Sequence, residues 1–193
     1  MSIFAWTAPV FKLASRRWSE DDFRTIADLL RPYVAPGGLF ADLGGGTGDL
    51  GAGVAPALGA RVVVVDQTPQ MLRRVDAHPW VSTRLASAER LPFPSAYFDA
   101  VLCCDAFHHF RDQEAALNEI GRAVRPGGGV VMLEPEAGPG GSRLVASLER
   151  LLGEPAAFRT PADLETLMAA HGIFGASQRQ TRTSYLFLGT VRP

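Results

Sequence analysis

Apolar positions along the chain follow two rhythms that take turns. Phe23, Ile26, Leu30 and Tyr33 recur at helical spacing behind Ser19-Glu20-Asp21-Asp22, a capping-box pattern, until Pro36-Gly37-Gly38 breaks the run. Leu39–Leu43 then predicts a strand, and a helix opens at about Asp49. The order repeats with a strand over Val62–Asp66 and a helix near Pro69, where proline suits a first turn that needs no N–H. Val81–Leu85 predicts a third strand. Phe98-Asp99-Ala100-Val101-Leu102-Cys103-Cys104 is almost continuously apolar, as in a parallel strand covered on both faces. Asp112 is a good N-cap for a helix carrying Leu117, Ile120 and Val124, which Arg125-Pro126-Gly127-Gly128 is expected to end before strand five, Val130–Leu133. Thr160-Pro161-Ala162-Asp163 opens another helix, with Leu164, Leu167 and Met168 inside and Gly172 as its stop. Phe174–Val191 supplies two last strands, a hairpin turning near Thr181-Arg182-Thr183. Alternating strands and helices predict a doubly wound α/β sheet whose ligands bind beyond the carboxyl ends of the strands.

The 193 residues suit one domain, 1–193, with 1–36 as an N-terminal arm and helix and 135–160, rich in proline and glycine at its start, as a candidate lid. Phe4, Trp6, Phe11 and Trp18 make the arm aromatic, fit either to wall a pocket or to pack elsewhere. A net charge of −1 offers no basic field for a phosphate backbone, so a small molecule is expected as partner rather than nucleic acid. The two cysteines, Cys103 and Cys104, are neighbours on one predicted strand, which rules out a disulfide framework and suits a reducing compartment. No stretch reaches the roughly 20 apolar residues of a membrane span. The apolar start carries its charges after it, at Lys12, Arg16 and Arg17, the reverse of a secretory signal, so a cytoplasmic location is expected.

The densest chemistry lies in Phe40-Ala41-Asp42-Leu43-Gly44-Gly45-Gly46-Thr47-Gly48-Asp49-Leu50-Gly51. A strand runs into an acid and then glycines at alternate positions, D-x-G-x-G-x-G, so a ligand is able to lie against bare backbone. In nicotinamide-binding proteins the pattern is G-x-G-x-x-G with the key acid later; here Asp42 comes first, and a second acid, Asp66, closes the next strand. Further on stand Ala86-Ser87-Ala88-Glu89-Arg90-Leu91-Pro92-Phe93, Asp105-Ala106-Phe107-His108-His109-Phe110, and Arg125-Pro126-Gly127-Gly128-Gly129.

In this order the segments resemble those of the class I S-adenosylmethionine-dependent methyltransferases, over roughly Leu39 to Pro135. The resemblance implies a Rossmann-like, mostly parallel seven-stranded sheet with helices on both faces and an antiparallel C-terminal strand, and S-adenosylmethionine as cofactor. It implies that Asp42, Gly44, Gly46 and Gly48 hold the methionine end, that Asp66 accepts from the ribose hydroxyls, and that Gln67 and Met71 flank the adenosine. Ser87, Ala88 and Glu89 would edge the adenine, Ser87 standing where the family usually has aspartate, and Cys104 and Asp105 would lie at the amino end. No metal site is implied. The general style is similar to that of the ubiquinone and menaquinone biosynthesis methyltransferases, which suggests an apolar ring as acceptor.

Methyl transfer asks mainly for proximity and alignment, and a general base matters only where the acceptor must lose a proton. His108 and His109 are the candidates for that base, against a packing role. The loop after the fourth strand lacks the Asn/Asp-Pro-Pro-aromatic box of enzymes that methylate planar amines. A non-catalytic subunit that binds the cofactor or a partner is the alternative. The accepting atom, O, N, C or S, and the oligomeric state are written in no motif of the chain.

Overall fold

A computed structural model describes residues 18–136 and 157–193. The arm before residue 18 and most of the candidate lid, 137–156, lie outside the described residues. In chain order the elements are α1 (Glu20–Leu30), β1 (Leu39–Leu43), α2 (Asp49–Leu58), β2 (Arg61–Asp66), α3 (Pro69–Leu72), β3 (Val81–Leu85) and β4 (Phe98–Cys104). A 3₁₀ turn (Phe107–His109), α4 (Gln113–Ala123), β5 (Val124–Pro135), α5 (Pro161–Ala170), β6 (Ile173–Arg179) and β7 (Ser184–Val191) follow. The seven strands form one sheet in the order β3-β2-β1-β4-β5-β7-β6. Its first five members are parallel, and β7 runs antiparallel to both β5 and β6.

Both faces of the sheet are covered, and the two-residue period of the strands decides which side chain goes where. Phe40, Val62, Ala100, Leu102 and Val131 point to the side of α1 and α2, meeting Ile26, Leu30, Val54 and Leu58. Ala41, Val63, Val65, Val101, Cys103, Val130 and Met132 point to the side of α4 and α5, meeting Leu117, Ile120, Leu164 and Met168. Cys103 is fully buried while Cys104 leans to the opposite face. Burial pushes the Cys103 thiol well above its usual range, so it is a packing residue and a poor nucleophile.

The caps follow the sequence. Ser19 accepts from the Asp22 N–H while the Asp22 carboxylate accepts from Ser19 N–H, and Asp112 and Thr160 cap α4 and α5 in the same manner through Ala115 and Asp163 N–H. Two boundaries differ from expectation. Tyr33 falls in the turn after α1, and its ring packs over Gly129, where a Cβ would come within 2.4 Å of it. Arg125-Pro126-Gly127-Gly128 belongs to the irregular start of β5 and not to the end of α4. Val124 is already extended (ψ 139°) and pairs with Phe98, and the register shifts before Ala100 meets Gly129.

Asp99 sits at that shift. Its carboxylate accepts from Leu39 N–H (2.9 Å) and from Arg125 Nε (2.9 Å), and Arg125 donates onward to the Tyr33 carbonyl (2.8 Å). One side chain therefore ties β4, the entrance to β1 and the end of the α1 unit. Asp99→Ala is expected to lower unfolding stability in a urea titration by roughly 1–3 kcal/mol, because it leaves a backbone donor and a guanidinium without their acceptor. An unchanged midpoint and slope would show that this tie does not hold the strands.

Candidate active site

β1 delivers the glycine turn. Gly44 (φ +71°), Gly46 (+56°) and Gly48 (+75°) all sit in the left-handed region, which explains the alternate spacing. A Cβ on Gly44 would lie 2.5 Å from the Ala106 Cβ, so this glycine lets the β1 and β4 loops touch. A Cβ on Gly46 would meet nothing within 4 Å, so this glycine opens toward space. Asp66, at the end of β2, reaches across with Oδ2 accepting from Gly46 N–H (3.0 Å) and Oδ1 from Thr68 N–H (2.7 Å). Burial raises its pKa against the pull of those two N–H groups.

Asp42 lies beneath the turn. It is 2% exposed and accepts from Gly51 N–H through Oδ2 (3.0 Å), where a Cβ on Gly51 would press to 2.6 Å. Its carboxyl is pushed up to about 7 by burial and by the nearby charges of Asp66 and Asp49, against the Gly51 hydrogen bond.

β4 delivers the second loop and β5 the carboxylate that shapes it. Asp105 takes a positive φ (+52°), donates its N–H to the Leu133 carbonyl (2.8 Å), and leads into the 3₁₀ turn. Glu134, 3% exposed, accepts from Ala106 N–H (3.0 Å) and Phe107 N–H (3.0 Å) through Oε1, and from His108 N–H (3.3 Å) and Nδ1 (2.7 Å) through Oε2. His108 is buried, its ring stacked on Phe158 with centroids 4.5 Å apart. The chain around Phe158 is held there by Gln113, whose amide donates to the Phe107 (3.1 Å) and Ala157 (3.0 Å) carbonyls and accepts from Arg159 Nε (2.6 Å).

A third loop is pinned from two sides. Glu89 accepts from Arg111 N–H (2.9 Å) and from the Ser87 hydroxyl. Arg122, paired with Glu119 (2.7 Å), donates to the Phe93 and Leu91 carbonyls. The Leu91-Pro92-Phe93 stretch is thus a packed edge clamped to α4.

Between these loops, at the carboxyl end of the sheet, is a cavity of about 550 Å³. Gly44, Gly46, Asp66, Gln67, Met71, Ala88 and Glu89 line one side, and Asp105, His108, His109, Pro135, Phe158 and Thr183 the other. The structure so brings together ten of the fourteen residues singled out from the sequence around one space. Asp42, Gly48, Ser87 and Cys104 do not line it. Asp42 supports the turn from below, Gly48 caps α2, and Ser87 is spent on Glu89. Sequence reasoning missed Glu134, Gln113 and Phe158. A lone acid ending the apolar run Val130–Leu133 was the signal for Glu134, whereas Phe158 is brought in by a return of the chain that carries no motif.

A carboxyl whose folded pKa exceeds its unfolded one favours the folded state at low pH and loses that advantage as pH rises. Asp42 moves from the ordinary 3.8 to about 7, so between those values the fold keeps a proton that the unfolded chain has released. Stability should fall there by up to roughly 1.4 kcal/mol per pH unit. Asp42→Asn, which keeps an oxygen for Gly51 N–H, should gain on the wild type in unfolding free energy as pH rises from about 4 to 7 and stay ahead above it. Parallel curves would place the Asp42 titration at its ordinary value.

The comparisons agree with this geometry. A family model described as a methyltransferase domain matches residues 41–132. The ubiquinone/menaquinone biosynthesis C-methyltransferase UbiE of Ralstonia pickettii is 39% identical over 113 residues, covering 55% of this chain and 46% of the relative. That of Bordetella parapertussis is 38% identical over 111 residues, covering 54% and 43%. The matched stretch thus spans under half the length of these curated relatives. Among solved structures, a chain of the Haloferax volcanii complex that contains the Trm112 methyltransferase activator superposes with a TM-score of 0.81 at 18% identity, covering 99% of this chain and 97% of that one. Phosphoethanolamine N-methyltransferase 2 of Haemonchus contortus, in complex with S-adenosylmethionine, gives 0.79 at 16%, covering 99% and 57%. At these identities the likeness is one of fold. The matched methyltransferase domain, residues 41–132, thus spans the glycine turn, Asp66 and the β4 loop, and it sits in a fold shared with solved methyltransferase structures.

Proposed function

We propose that this chain transfers a methyl group from S-adenosylmethionine to a small, largely apolar ring compound, and that the cavity at the carboxyl end of the sheet holds both. The observation that carries the reading is the two-sidedness of that one cavity: glycine backbone and Asp66 face an imidazole and an aromatic ring across it. Its volume of about 550 Å³ is in the range of small-molecule sites. The name of the curated relatives, ubiquinone/menaquinone biosynthesis C-methyltransferases, supports a ring acceptor.

The residues present fit the cofactor. A carboxylate has about four acceptor positions; Asp66 gives two to the N–H groups of Gly46 and Thr68, with the Thr68 side chain beside it as well, which leaves capacity for a ribose hydroxyl. The open Cβ position of Gly46 is a cradle that a side chain would fill. Gln67, Met71, Ala88 and Glu89 complete the nucleoside side; Gly44 and Asp105 stand toward the other end. Asp42 and Ser87 act from behind, Asp42 on Gly51 of the turn and Ser87 on Glu89, while Gly48 caps α2.

When bound, S-adenosylmethionine supplies a methyl group made electrophilic by its sulfonium, which passes in line to a nucleophile's electron pair while the C–S pair returns to sulfur. The protein's share is to hold the acceptor at near-attack distance and to exclude water. Phe158 and Pro135 provide apolar walls on the acceptor side, and the buried His108 provides the polar point among them.

Calorimetric titration of the wild type with S-adenosylmethionine and S-adenosylhomocysteine should give saturable binding. Asp66→Ala is expected to weaken it by about 10- to 150-fold, since hydrogen bonds to a charged group contribute roughly 1.5–3 kcal/mol. Gly46→Val should abolish it while costing the fold only about 1–2 kcal/mol of backbone strain. Deuteromethyl-labelled S-adenosylmethionine, incubated with quinols, phenols, thiols and amines, should label a ring compound by mass spectrometry. Tight binding with no labelled product across the panel would favour the non-catalytic subunit instead.

A further inference from the structure

We propose that Glu134 is a positioning residue that fixes the tautomer of His108, so that Nδ1 carries the ring proton and Nε2 carries the lone pair. The inference rests on the methyltransferase reading above and adds to it a role for a residue of β5.

The geometry leads there by elimination. Backbone N–H groups only donate, so the Glu134 oxygens that meet Ala106, Phe107 and His108 N–H are acceptors. The fourth contact, His108 Nδ1 at 2.7 Å from Oε2, then completes the carboxylate's acceptor capacity, and the proton in it belongs to the ring. His108 is not free to turn, because its own N–H is bound by the same carboxylate and its face is stacked on Phe158 at 17°. Nε2 is thereby directed to the side of Asp105, whose Oδ1 is 4.0 Å away and which lines the cavity. The titratable groups facing the ring among the described residues are Glu134 from β5 and Asp105 and His109 from its own loop. The segment before α5 contributes Phe158, beside Arg159, which is engaged by Gln113.

For a hydroxyl acceptor, the oxygen pair would form the new C–O bond as the methyl's C–S bond breaks and its pair returns to sulfur, and the O–H proton would pass to Nε2. The resulting imidazolium is balanced by Glu134. Glu134→Gln has nearly the same shape but an opposite demand. With its amide oxygen taken by Ala106 and Phe107 N–H, its NH₂ group must donate to Nδ1, which drives the ring proton to Nε2 and removes the acceptor atom.

The test is long-range ¹H–¹⁵N spectroscopy of the full chain labelled on histidine, at a pH where the ring is neutral, with His108 assigned by its loss in His108→Gln. The wild type should show Nδ1 protonated and Nε2 bare, and folded Glu134→Gln should show the reverse. In that variant kcat on a hydroxyl acceptor should drop about 10²- to 10⁴-fold, the usual share of a positioned base, with affinity for S-adenosylmethionine within about twofold of wild type. A proton on Nε2 in the wild type overturns the proposal even if Glu134→Gln fails to fold, and so does an unchanged tautomer in the folded variant. A wild type that shows the expected tautomer yet binds no S-adenosylmethionine would instead overturn the methyltransferase reading.

Discussion

Every loop that leaves the carboxyl edge of a parallel sheet exposes backbone N–H groups that the strands no longer satisfy, and a cavity built from such loops must satisfy them without filling itself. This chain does so with carboxylates. Asp42 at β1 takes Gly51 N–H, Asp66 at β2 takes Gly46 and Thr68 N–H, and Glu134 at β5 takes three successive N–H groups of the β4 loop. Glu89 does the same for Arg111. Asp66 and Glu134 each bind the loop of a neighbouring strand, so those loops are cross-braced and the space between them stays open. Burying these carboxylates has a cost, visible in the raised pKa values of Asp42 and Asp66.

The same bracing explains how binding and chemistry are divided. Asp66 gives part of its acceptor capacity to Gly46 and Thr68 and keeps part for the cavity, so it is both strut and ligand group. Glu134 is saturated and buried, so it acts on the cavity through the β4 loop it holds, His108 included. Opposite demands on two acids of similar type follow from where each strand ends.

Much of this was legible in the chain. The valine run of β2, the unbroken apolar stretch of β4 and the caps at Ser19, Asp112 and Thr160 are local signals with one physical reading, and the elements formed where they pointed. The glycine turn and Asp66 were legible because close approach and a strand-end acid leave a dense pattern. What was not legible depends on distant partners. Arg125-Pro126-Gly127-Gly128 lies in the start of β5, where Val124 pairs with Phe98 and Arg125 is held by the distant Asp99. Asp42 matches its motif by position but is packed under the turn. Phe158 meets His108 only because Gln113 and the β4 loop gather a returning segment 45 or more positions along (a separation of roughly that size carries little loop-closure penalty beyond a short one).

The most direct test is a crystal structure of the full chain grown with S-adenosylhomocysteine. The braced cavity should hold the nucleoside with its ribose hydroxyls on the Asp66 carboxylate and its sulfur pointing across to the side of His108 and Phe158. A nucleoside bound elsewhere, or one that leaves Asp66 engaged only with Gly46 and Thr68, would contradict it.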